Sequence, residues 1–164
     1  MKYIQDLKEL FVEQLKEQND GERQQLEALP KLRESSSSKE LQQSIDHLIG
    51  TKRKHMQRIT QIFSLLQRNI HGEENKGVKG LTAEALEMVK RCTDAAVRDA
   101  GIITSIQHLC HHNIASYGTL SVFAKELGLF EIKELLEESL SEEKGVDLDL
   151  SKLAILHINS KAIH

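Results

Sequence analysis

The chain has 164 residues, 29% of them charged, and a formal net charge of −3, enough length for one domain with a substantial core. Aromatics at 4% argue against a stacking platform for single-stranded nucleic acid, and interleaved acids and bases leave no basic stripe to track a phosphate backbone. One proline, nine glycines and no tryptophan leave few helix breakers in a composition rich in Leu, Glu, Lys and Gln, so long helices are expected.

The first helix is expected from Ile4 to Arg33, with an apolar stripe of Ile4, Leu7, Phe11, Leu15, Leu26 and Leu29. Pro30 should kink or end it. Ser35-Ser36-Ser37-Ser38 reads as a turn, and Ser37 with Glu40 has the form of a capping box for the next helix. That second helix is expected over Lys39–Gln67, with Leu41, Ile45, Leu48, Ile59, Ile62, Phe63 and Leu66 inward.

Arg68 to Gly80 holds three glycines and no periodicity, which predicts a long crossover loop, followed by a short helix over Leu81–Arg91. Thr93-Asp94 then offers an N-cap for a long helix reaching Leu127, with Val97, Ile103, Ile106, Tyr117, Leu120 and Ala124 inward. Gly128 is a natural C-terminal break, and the last long helix covers Leu129–Ala154. Residues 155–164 form a tail in which Ile155, Leu156 and Ile158 are candidates to dock. The expected fold is therefore all-α: residues 1–164 as a single up-down four-helix bundle of the ferritin-like kind, with a long crossover carrying one short extra helix.

The apolar stripes fail midway along each long helix. The interruptions pass through Gln18 and Glu22, then Lys52 and His55, then Cys110 and Asn113, then Glu143 and Asp147. Midpoints of neighbouring helices in an up-down bundle lie at similar heights. One buried layer should therefore hold Glu22, Lys52, His55, Cys110, Asn113, Glu143 and Asp147. Buried carboxylates need pairing, coordination or a shifted pKa. One solution is a divalent ion held by Glu22, His55, Glu143 and Asp147, with Cys110 and Asn113 adjacent; Glu143 and Asp147, four apart, can clasp it together. Another is a metal-free network in which Lys52 and a protonated His55 pair with the acids. A third is that the helix phases differ by one residue and several of these groups meet water.

The smaller signals are weaker. His108, His111 and His112 have a spacing that can present two imidazoles to one metal, although surface histidines are the commoner outcome. Cys110 reads as a small buried hydrophobe before it reads as a ligand. The cluster Lys52, Arg53, Lys54, His55 and Arg58 should be neutralised by the acidic run Glu131 to Asp149 rather than by nucleic acid. Two cysteines make no disulfide framework, no apolar run approaches a membrane span, and Met1 to Asp6 lack a signal-peptide core, so the cytoplasm is the expected compartment. Phosphate loops, G-x-S-x-G elbows and HExxH motifs are absent from the sequence.

Three stretches carry a family resemblance: Gly21-Glu22-Arg23-Gln24-Gln25-Leu26-Glu27-Ala28-Leu29-Pro30-Lys31, Ala96-Val97-Arg98-Asp99-Ala100, and Ile114-Ala115-Ser116-Tyr117-Gly118-Thr119-Leu120. Leu135-Leu136-Glu137-Glu138 and Glu142-Glu143-Lys144 add to them. Together they make the chain resemble the YciF/YciE-like family of bacterial ferritin-like proteins over nearly its whole length. The resemblance implies a ferritin-like bundle, homodimers, a link to bacterial stress responses and a dinuclear metal site. Glu22, Glu143 and Asp147 stand where family members place acids. Gly50 and Thr51 replace the paired acids usual on the second helix, and Cys110-His111-His112-Asn113 replaces the usual Glu-His-Tyr-Glu stretch. A carboxylate-bridged pair of ions needs more acids than remain. The resemblance thus implies a degenerate site with one ion (iron, zinc or manganese) or none, and a stress-associated, non-catalytic protein. The alternative is a metal-binding oxidase or metal-storage protein of the same fold.

Overall fold

The computed structural model describes residues 3–163. Five α-helices follow one another: α1 Leu7–Ser35, α2 Lys39–Leu66, α3 Lys76–Arg91, α4 Ala95–Glu126 and α5 Phe130–Leu153. The described residues contain no strand and no helix long and apolar enough to cross a membrane. Helix α1 packs on α2 and α4, and α5 packs on α4 and α2, so the four long helices close a ring around one interior. Helix α3 lies outside this ring against α1 and α4.

The buried positions of α1 are Phe11, Leu15, Gln18, Glu22, Gln25, Leu29 and Leu32 among others, alternating steps of four and three. Leu41, Ile45, Leu48, Lys52, His55, Ile59 and Ile62 repeat the pattern on α2. A 3.5-residue spacing keeps one seam of each helix facing its neighbours along its full length. The inward stripe therefore never breaks; only its chemistry changes at mid-helix. This corrects α1, where Gln25 rather than Leu26 is buried, and α4, where Val97 lies at the surface.

The polar layer divides the interior in two. One apolar cluster includes Leu29, Leu41, Ile45, Ile103, Ile106 and Leu150. The other includes Phe11, Leu15, Ile59, Phe63, Leu120 and Leu136.

Several boundaries differ from expectation for local reasons. Helix α1 starts at Leu7 behind an Asp6 cap and continues past Pro30 to Ser35. Ser38, not Ser37, caps α2 by accepting the Leu41 amide at 3.2 Å, and the Ser38 hydroxyl donates to Glu40. Ser37 is drawn away by buried Asp99 of α4, which accepts its amide, its hydroxyl and the Ser38 amide. Helix α3 begins at Lys76, five residues before the expected Leu81, because Asn75 caps it through the Val78 amide at 2.9 Å. The Asn75 amide group in turn donates to the Glu17 carbonyl. Gly21 makes this docking feasible: a Cβ there would lie 3.0 Å from Asn75 Nδ2 and 3.2 Å from Val78. Asp94 caps α4 as expected, and Gly128, at φ +71°, breaks the chain before α5. In the tail, a π-helical turn over Ala154–Ile158 buries Ile158 but leaves Ile155 and Leu156 exposed, so only one of the three docks.

A candidate charged centre inside the bundle

Glu22 from α1, Lys52 and His55 from α2, Asn113 and Tyr117 from α4 and Glu143 from α5 meet between the two apolar clusters, each at most 1% exposed. The Lys52 ammonium donates to Oε1 of Glu143 and lies 3.3 Å from Oε2 of Glu22. His55 Nδ1 is 3.3 Å from Oε1 of both acids, while Nε2 points the other way to Glu142 at 2.9 Å. Tyr117 donates its hydroxyl proton to Oε1 of Glu22 at 2.7 Å and meets the His55 ring edge-on, centroids 5.4 Å apart.

Amides complete the layer. Gln18 donates to Glu22 at 3.1 Å and to Asn113 at 3.3 Å. Asn113 and Gln25 exchange hydrogen bonds at 2.9 and 3.2 Å. At the rim, Arg58 clasps Glu142 through two nitrogens at 2.6 and 3.0 Å and reaches Glu138 at 2.8 Å. Three members of the basic cluster of α2, Lys52, His55 and Arg58, are thus met by acids of α5, while Arg53 and Lys54 lie exposed.

Burial alone would push a carboxyl up and an ammonium or imidazole down. In Glu22 that push is outweighed by Lys52, then His55 and Tyr117, which hold the carboxyl at about 2. In Lys52, burial is outweighed by Glu143 and Glu22, which raise the ammonium further above its usual range. In His55, burial and Lys52 oppose the shift, but Glu143 and Glu22 prevail and hold the imidazole at about 9. Counted formally, the carboxylates of Glu22 and Glu143 balance the Lys52 ammonium and the His55 imidazolium.

Burial, then Glu143, pushes the Cys110 thiol up, and its side chain packs with the first apolar cluster. Asp147 is brought to the layer's edge but not into it. Its carboxylate accepts from Gln107 at 3.1 Å and lies 3.3 Å from the exposed His111. A step of four residues advances about 400° around a helix, which turns Asp147 roughly 40° from Glu143 toward α4. Where family resemblance implied paired acids, Gly50 has no side chain and the Thr51 hydroxyl donates back to the His47 carbonyl. Neither supplies a ligand.

Glu22, His55 and Glu143 each offer an atom within 4.8 Å of the others, the arrangement of three ligands for one ion. Lys52 stands against the same oxygens. With Lys52 in place the donor set does not fit two ions, and a single divalent ion with neutral His55 would leave the layer at a net +1. Sequence reasoning missed Gln25 as a member of the network, and it anticipated Arg58 and the acidic run holding Glu142 only as a general neutralisation, not as the rim of the buried layer. Gln25 was legible from the unbroken step pattern; Glu142 and Arg58 sit one position off the inward seam, so charge pattern rather than periodicity pointed to their pairing.

An all-helical bundle with a buried, charge-balanced layer is the class of protein that these features define. Residues 6–163 match the family described as a domain of unknown function (DUF892), and the chain belongs to that family. It is 35% identical over 164 residues to Protein YciF of Escherichia coli K12, covering 99% of this chain and 96% of that protein. The crystal structure of the E. coli stress protein YciF superposes with a TM-score of 0.91 at 32% identity, covering 95% of this chain and 99% of that one. YcfI of Rhodopseudomonas palustris, described as a candidate structural protein, gives 0.89 at 32% identity, covering 92% and 96%.

Proposed function

We propose that this protein is a non-catalytic, stress-associated member of its family. In this reading it is a ferritin-like, up-down four-helix bundle that acts as a cytoplasmic homodimer. Its inner site has exchanged metal ions for the ammonium group of Lys52. The observation that carries this reading is Lys52 itself, buried and set between Glu22 and Glu143. The stress association is taken from the description of E. coli YciF. Exposed Leu148, Ile155 and Leu156 near the end of α5 support a second copy as partner.

A metal-binding reading, as an oxidase or store, is favoured by the three clustered ligand atoms of Glu22, His55 and Glu143. It ranks second because the layer is already neutral. Elemental analysis of protein expressed with added iron, zinc and manganese tests the two. Less than about a tenth of an ion per chain is expected, and one ion or more per chain would overturn the first reading. In the same reading Lys52→Ala leaves buried carboxylates short of a partner, a loss of about 3–5 kcal/mol, measurable by urea unfolding.

A further inference from the structure

We propose that Lys52 blocks an otherwise complete single-ion site, so that removing its ammonium group alone turns the layer into a divalent-metal centre ligated by Glu22, His55 and Glu143. The inference rests on the reading of Lys52 as resident cation and says what that cation holds closed.

The ligand atoms already stand within 4.8 Å of one another. His55 is also oriented as a metal-binding histidine would be. Its Nδ1 faces the two acids, and its Nε2 meets Glu142, which Arg58 fixes from behind. A carboxylate on the outer nitrogen sets the tautomer that leaves the inner lone pair free for a metal. Two ligand oxygens lack a hydrogen-bond partner among the described residues: Oε2 of Glu143, and Oε2 of Glu22, whose ion pair with the Lys52 ammonium at 3.3 Å would be lost with that group.

Charge points the same way. Without Lys52, two carboxylates and a neutral imidazole require two positive charges, which one divalent ion supplies. With Lys52 present, that ion would be in excess by one. The apolar clusters above and below the layer exclude water and sharpen the difference. Two carboxylates and one imidazole suit zinc or cobalt.

The test uses the full chain with Lys52→Gln and Lys52→Ala, and Co²⁺ as the probe. Far-UV circular dichroism follows folding, and visible ligand-field absorption follows binding. Both variants are expected to take up one Co²⁺ per chain, or to recover helicity when it is added, while the wild type takes up none. Adding Glu142→Gln to Lys52→Gln should weaken cobalt binding about 10- to 100-fold. The inference is overturned, with the resident-cation reading intact, if folded variants bind no cobalt or if unfolded variants are not rescued by it. Stoichiometric cobalt in the wild type overturns both together.

Discussion

Replacing His55 by Gln removes the imidazole that ties Glu22, Glu142 and Glu143 together in the buried layer. In the wild type, His55 is held at about 9 against an ordinary 6.5 by Glu143 and Glu22. Because the folded-state value is raised, its contribution to stability is fully present below about pH 6.5 and is lost as pH rises through about 9. At about 1.4 kcal/mol per pH unit, the interval corresponds to about 3 kcal/mol. With a urea slope of about 2 kcal/mol per molar, the unfolding midpoint should fall by about 1.5 M across that window. The corresponding fall in Tm is roughly 6–12 °C for a chain of this size. His55→Gln should start from a lower midpoint at pH 6, having lost its ion pairs, and then stay nearly flat to pH 9. Urea titrations at half-unit pH steps on both proteins isolate the difference from all other titrating groups. Parallel profiles for the two proteins between pH 6.5 and 9 would falsify the assignment of His55 as an imidazolium within the network.

The acid limb has the opposite sign. Glu22, held at about 2 against 4.5, contributes stability present above about pH 4.5 and lost as pH falls through about 2. The loss is again about 3 kcal/mol, and it should be missing from Glu22→Gln; it does not simply add to the His55 contribution, since both include the Glu22–His55 pair. Tyr117→Phe removes the hydroxyl that donates to Glu22 at 2.7 Å, and a charge-assisted bond of this kind is worth about 1.5–3 kcal/mol. A thermal melt unchanged from wild type would show that the hydroxyl is not engaged there. Asp99→Ala strips acceptors from the amides of Ser37 and Ser38. Its expected cost is about 2–3 kcal/mol, with amide hydrogen exchange rising first at the α1–α2 turn.

Lys52, His55 and Glu143 were legible as inward groups because each sits where an apolar seam should continue. Asp147 was expected inward on the same grounds, but a second step of four after Ser139 to Glu143 carries it off the seam, which continues through Val146 instead. The start of α3 was hidden for a different reason. Residues 76–80 include two glycines and look like loop, yet they become helical once Asn75 is anchored by the Glu17 carbonyl of α1. The cap at Ser38 instead of Ser37 has the same origin: Asp99, some sixty residues away in the chain, claims the nearer serine.

Local preference and periodicity, both properties of consecutive residues, determined the helices, their inward seams and the mid-helix change from apolar to charged side chains. Which charge meets which was decided only in the folded molecule. An ion pair depends on distances between atoms that the chain keeps far apart, and on how far burial weakens water's competition for them. Glu22 and Glu143 with Lys52 could equally have been read as ligands, as partners or as surface groups, until packing brought all three together at the centre of the bundle.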